Sequence, residues 1–120
     1  MQGTMGTPYY MSPEQAIDFK HTDQRADIFS LGVVLYHLLC ESFPFLNEYE
    51  FRQAVGVKEY LRRAASDSPT PLINHSQNFP DITPKLNEIV MRAVQHDPDD
   101  RYDLMIEFAE ELLGYGRQLR

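Results

Sequence analysis

Asp27-Ile28-Phe29-Ser30-Leu31-Gly32-Val33-Val34-Leu35-Tyr36-His37-Leu38-Leu39-Cys40 is the stretch on which the fold turns. It is apolar on nearly every face, and a helix of that kind is normally buried in a core. The β-branched pair Val33-Val34 favours a strand. The length of the run without alternation, and Asp23 ahead of it as an N-cap, favour a helix, and a buried helix is expected.

Outward from this stretch, the punctuation is helical. Residues 1–24 are rich in Gly, Pro, Thr and Ser, which suits a loop, and Ser12-Pro13-Glu14 reads as a helix start. After a loop over Glu41 to Leu46, Asn47 and Glu50 stand at capping-box spacing and open a helix expected to end near Gly56. Residues 66–82 carry three prolines among Ser, Asp and Asn and read as an irregular connection. Thr83-Pro84 places a cap before a first-turn proline, and Leu86, Ile89, Val90, Ala93 and Val94 follow at helical spacing. A last helix is expected from near Asp103, with Leu104, Phe108, Ala109 and Leu112 on one face and Gly114 as its stop. No strand pattern survives, so an all-α fold is expected.

Composition excludes several function classes. At 120 residues the chain has room for one modest domain or part of one. A net charge of -7 argues against a phosphate-tracking nucleic-acid surface. The opening Met1-Gln2-Gly3-Thr4 has no signal-peptide pattern, and the longest apolar run is too short to cross a bilayer, so a cytoplasmic protein without a membrane segment is expected. Cys40 has no cysteine partner and reads as a small core residue. His21, His37, His75 and His96 share no metal-ligand spacing. Glu107, Glu110 and Glu111 read as the solvated face of the last helix.

Four short motifs, in order, carry a resemblance. Gly6-Thr7-Pro8-Tyr9-Tyr10-Met11-Ser12-Pro13-Glu14 resembles the end of a protein-kinase activation segment, with Ser-Pro-Glu standing for the family's Ala-Pro-Glu. The Asp27–Val33 stretch follows at the distance of the central helix of the kinase C-lobe. Pro44-Phe45 matches the turn after it, and Asp97-Pro98-Asp99-Asp100-Arg101-Tyr102 resembles the late Asp-Pro-x-x-Arg segment. The match weakens between about Gly56 and Pro80. Gly-Thr-Pro-x-Tyr points to serine/threonine rather than tyrosine kinases, and Met-Ser-Pro-Glu-Gln with Asp-Arg-Tyr is similar to bacterial members.

The resemblance implies roles. Thr7, Pro8 and Met11 would line the substrate site, Thr7 bonding toward the catalytic aspartate. Glu14 and Arg101 would form a buried ion pair. Asp27 would accept hydrogen bonds from the catalytic-loop backbone, Val34 and Leu38 would support the apolar stack beneath the adenine, and Gly32 would permit close helix approach. Thr4 is a candidate phosphosite in the activation loop; an unmodified loop threonine is the plainer reading. The upstream kinase parts are absent from the sequence: no Gly-x-Gly-x-x-Gly, no His-Arg-Asp and no Asp-Phe-Gly occurs. The expectation is therefore a partial serine/threonine kinase domain, 1–14 ending the activation segment and 15–120 forming C-lobe helices. It would carry no catalytic residue or metal ligand and would bind no cofactor itself, ATP and Mg belonging to the complete domain. Its partners would be a protein substrate or the missing N-lobe, with self-association through exposed apolar surface. A non-catalytic interaction module derived from a kinase is the alternative, and an unrelated helical protein a third reading.

Overall fold

A computed structural model describes residues 8–17, 22–46 and 56–119. All elements among them are helical: a 3-10 turn Pro8–Tyr10, α1 Pro13–Ile17, α2 Gln24–Cys40, α3 Val57–Ser66, α4 Pro84–Ala93 and α5 Met105–Gln118, with further 3-10 turns at Leu72–His75 and Pro98–Asp100. The expected Asn47–Gly56 helix, His21, Thr4 and Thr7 lie outside the described residues, apart from Gly56 itself, which stands at the start of α3.

Helix α2 begins where Asp23 accepts the Arg25 amide at 2.9 Å. The side chain and amide of Arg25 hold the Asp23 carboxyl below the ordinary range. The helix stops at Glu41, whose backbone is left-handed at φ 60 and whose amide bonds back to His37. Its packing differs from the expectation of burial on every face. Ala26, Ile28, Phe29, Gly32, Val33, Tyr36 and Cys40 are buried. Asp27, Leu31 and Leu38 are exposed and Val34 is only half-buried. These four fall at i, i+4, i+7 and i+11, so they share one face. An apolar sequence states what a helix is able to bury; here no described element covers that face, and Leu38 stands 72% exposed.

Helix α2 approaches the end of α4 tightly. A Cβ at Gly32 would lie 2.8 Å from Ala93 Cβ and 2.8 Å from Val94 Cγ1, which only hydrogen leaves room for. Helix α4 matches the sequence expectation: Thr83 Oγ1 accepts the Leu86 amide at 3.2 Å, Pro84 occupies the first turn, and Leu86, Ile89, Val90, Ala93 and Val94 are all buried.

The connection over 67–82 is anchored although irregular. Leu72 is fully buried, and Asn87 Oδ1 accepts the Ile73 amide at 2.8 Å. The Tyr36 hydroxyl donates to Thr70 O at 2.8 Å and lies 3.2 Å from His75 Nε2. One hydroxyl has one proton, so His75 Nε2 carries the hydrogen that the Tyr36 oxygen accepts.

Two elements depart from the sequence reading. Helix α3 was not anticipated; its Tyr60 and Ala64 are buried, while Glu59 pairs with Arg62 and Arg63 at 2.9 Å each. Those guanidiniums, Arg62 first, hold Glu59 down to about 2. A lowered carboxylate favours the folded state above its ordinary range, and that contribution fades as pH falls toward 2. Helix α5 does not stop at Gly114. It runs on to Gln118, because Tyr115 packs inward and its hydroxyl meets Thr83 Oγ1 at 2.7 Å. Leu104 lies before the helix and is exposed. Glu107 Oε1 accepts the amides of Asp103 and Leu104 at 3.1 and 3.0 Å, so the first of the three glutamates caps a helix start.

Gly32→Ala is expected to destabilise the chain. Relief of glycine's helix penalty returns about 1 kcal/mol, whereas forcing a methyl into a closed helix contact costs about 1–3 kcal/mol. A net loss of up to about 2 kcal/mol should appear as a lower urea midpoint, and a raised midpoint, the outcome of relieving the glycine penalty alone, would contradict the contact.

Candidate functional site: the Arg101 junction and the segment before α1

Ser12 and Gln15 cap the start of α1 reciprocally. Ser12 Oγ accepts the Gln15 amide at 3.2 Å, and Gln15 Oε1 accepts the Ser12 amide at 3.0 Å. Pro13 occupies the first helical position, where its missing N–H costs nothing. This fixes the direction of Glu14.

Glu14 meets Arg101 although 87 residues separate them. Arg101 Nη1 donates to Glu14 Oε2 at 2.6 Å and Nη2 to Oε1 at 2.8 Å, a fork-to-fork pair. The guanidinium also donates from Nε to Gln95 O at 2.7 Å, from Nη1 to Arg25 O at 3.0 Å and from Nη2 to His96 O at 3.0 Å. A guanidinium has five N–H donors, and here each has an acceptor. The Arg101 side chain is fully buried, with its central carbon 4.9 Å from the Phe29 ring centroid. One cation therefore joins α1, the first turn of α2 and the loop after α4.

An outer pair reinforces the junction. Arg25 bonds Asp23 at 3.1 Å and Asp99 at 2.8 Å, linking the start of α2 to the Pro98–Asp100 turn. Asp97 Oδ1 accepts the Asp99 amide at 2.9 Å and caps that turn. Both pairs are substantially exposed and add little beside the Arg101 cluster.

The segment before α1 rests on aromatic rings. Tyr9 stacks on Phe43 at 4.8 Å and meets Tyr60 edge-on at 4.8 Å, while Tyr10 meets Phe43 at 5.7 Å. Ser30 Oγ donates to Tyr10 O at 2.7 Å, and the Tyr60 hydroxyl reaches Tyr9 O at 3.4 Å. Burial pushes the Tyr60 hydroxyl up, so it stays protonated as a donor. Met11 follows, half-buried, and Pro8 opens the 3-10 turn.

The sequence-derived residues thus divide in space. Glu14 and Arg101 come together, and Gly32 lies at the α2–α4 contact. Pro8 opens the turn that carries Tyr9 and Tyr10 and Met11 follows it in the chain, while Asp27 begins the uncovered face of α2. Sequence reasoning did not find Ser30, Phe43, Tyr60 or the Asp23–Arg25–Asp99 link. Periodicity marks Phe43 and Tyr60 only as apolar, and nothing local announces that Ser30 binds a carbonyl twenty residues away.

No three His, Cys, Asp or Glu side chains among the described residues group to hold a metal ion. No helix among the described residues is long and apolar enough to cross a membrane.

A chain with these junctions belongs to the protein kinase domain family, whose description matches residues 1–113. The all-helical architecture is that of the helical half of the kinase C-lobe, and its relatives include bacterial serine/threonine kinases. The chain is 34% identical over 109 residues to serine/threonine-protein kinase PknB of Mycolicibacterium smegmatis, which covers 91% of this chain and 16% of that protein. It is 36% identical over 110 residues to the probable serine/threonine-protein kinase CPE1738 of Clostridium perfringens, covering 92% and 14%. Serine/threonine-protein kinase Pkn1 of Myxococcus xanthus is 35% identical over 108 residues, covering 90% and 14%. The chain spans less than a fifth of the length of each of these three relatives.

Arg101→Lys is expected to destabilise the chain by about 2–3 kcal/mol even though the charge is kept. A lysine has three donors on one atom and cannot serve five acceptors in a plane, and unmet buried acceptors cost about 1–3 kcal/mol. Chemical denaturation measures this; a loss below about 0.5 kcal/mol would mean that charge alone suffices.

Proposed function

We propose that this chain supplies the substrate-side and structural part of a cytoplasmic serine/threonine protein kinase domain, which transfers the ATP γ-phosphate to Ser or Thr of a protein substrate. Residues 1–14 end the activation segment and 15–120 form C-lobe helices. The observation that carries the reading is the bidentate Glu14–Arg101 pair, which unites the Ser-Pro-Glu and Asp-Pro-x-x-Arg motifs in one buried junction. On this reading Thr7, Pro8 and Met11 line the substrate site, and Thr4 is a candidate phosphosite. Glu14, Gly32 and Arg101 hold the frame.

Asp27, Leu31, Val34 and Leu38 then form the face on which the nucleotide-binding part of the domain seats. Support comes from the exposure of Leu31 and Leu38 on an otherwise buried helix. Asp27 is exposed at the start of that face, where its carboxylate is free to take backbone amides from a partner segment. ATP and Mg belong to that partner part, since positioning and charge stabilisation supply nearly all of kinase catalysis.

Two measurements test this. The 120-residue chain alone is expected to transfer no radiolabelled phosphate from ATP with Mg to a generic basic protein. Transfer that survives repurification and disappears in Thr7→Val would overturn the reading. The chain alone is also expected to bind a hydrophobic dye and to self-associate through the α2 face, with Leu38→Glu reducing both. A monomer that unfolds sharply and binds no dye would favour the interaction-module alternative.

A further inference from the structure

Beside the Arg101 junction lies a cleft that the proposed function does not use. Pro13, Glu14, His96, Asp97 and Pro98 line it, and it encloses about 220 Å³. Pockets that hold whole small molecules run from about 300 to 1,000 Å³, so this one has room for a single side chain.

Its walls are set before anything binds. The His96 ring is held by Nε2 donating to Ala65 O at 2.6 Å, and the backbone at 95–96 is pinned by Arg101. Pro13 and Pro98 supply rigid apolar surface, and fixed walls lower the ordering cost of binding. Of its three polar side chains two are acidic, and the third, His96, has its Nε2 committed to Ala65 O. Each Glu14 oxygen accepts one Arg101 N–H, its side chain is 25% exposed, and a carboxylate offers about four acceptor sites. Asp97 uses Oδ1 on the Asp99 amide and is exposed; among the described residues no cationic side chain pairs with it. An apolar wall for a methylene stem, ending at two carboxylates with acceptor sites to spare, complements a long basic side chain.

We propose that this cleft docks a basic side chain of a protein partner, arginine in preference to lysine. A planar guanidinium lies flat against proline and imidazole walls and forks onto two carboxylates, which an ammonium does not. Anionic partners are disfavoured by Asp97, since the Glu14 charge is already met by Arg101. Taking that partner to be the kinase substrate rests on the proposed function; the docking itself needs neither ATP nor transfer.

The test is photo-crosslinking of the full chain with a short peptide, acetyl-Gly-benzoylphenylalanine-Arg-Gly-amide, and mass-spectrometric mapping of the products. Crosslinks are expected at residues 13–14 and 96–98. Replacing arginine by citrulline, which keeps the stem and removes the charge, should reduce the yield about two- to fivefold, as should Asp97→Asn, which keeps the turn cap. The lysine peptide should fall between. If Asp97→Asn alters the circular dichroism, the citrulline arm on the unaltered chain decides alone. Scattered crosslinks would overturn the proposal, and so would equal yield with citrulline, which would make the cleft a purely apolar one. A completed kinase domain that fails to transfer phosphate would sink the functional reading and leave this measurement standing; the reverse also holds.

Discussion

The structure depends on one buried cation whose donors are all satisfied. Taking a guanidinium out of water costs several kcal/mol even after the protein relaxes. Arg101 recovers that cost because a carboxylate and three backbone carbonyls converge on it in the plane of its fork. The acceptors come from three places distant in sequence, so the arrangement forms only when α1, α2 and the loop after α4 are all in position. A hydrophobic pair in the same space would stabilise without that directional demand. The ion pair therefore sets geometry more than it adds net stability.

Around this junction α2 acts as the central strut. One side is closed against α4 by the absence of a side chain at Gly32, and another carries the aromatic platform through Phe29, Val33 and Ser30. The segment Tyr9–Tyr10 is thereby held from below by rings and from its C-terminal end by Glu14. The remaining side of α2 presents Leu31 and Leu38 to solvent. Burial of an apolar side chain is worth roughly 1.5–3 kcal/mol, so an open leucine face is a standing demand for a partner surface.

Much of this was legible in the sequence, and the failures have physical reasons. Thr83-Pro84 and the apolar residues after it defined α4 because cap, first-turn proline and periodicity agreed. Glu14 and Arg101 were legible as a pair only through their flanking motifs, since nothing local in either marks a burial partner 87 residues away. Helix α3 was missed because it opens at Gly56 without a side-chain cap and buries little beyond Tyr60 and Ala64. Gly114 misled because glycine is read as a stop, yet the Tyr115–Thr83 contact carries α5 past it. The open face of α2 was legible only through the family resemblance, which set Asp27, Val34 and Leu38 against upstream parts of the domain; periodicity alone describes the helix and says nothing of which neighbours are present. The cleft at His96 was invisible, being shaped by backbone bonds to Arg101.

The most direct measurement of the central claim is a double-mutant cycle between Glu14 and Arg101, using Glu14→Gln and Arg101→Met singly and together, read by chemical denaturation. The junction described here predicts a coupling of about 1.5–3 kcal/mol, the double variant losing much less than the sum of the single ones. Additive losses, with coupling below about 0.5 kcal/mol, would show that the two side chains act independently and that the junction does not hold the fold together.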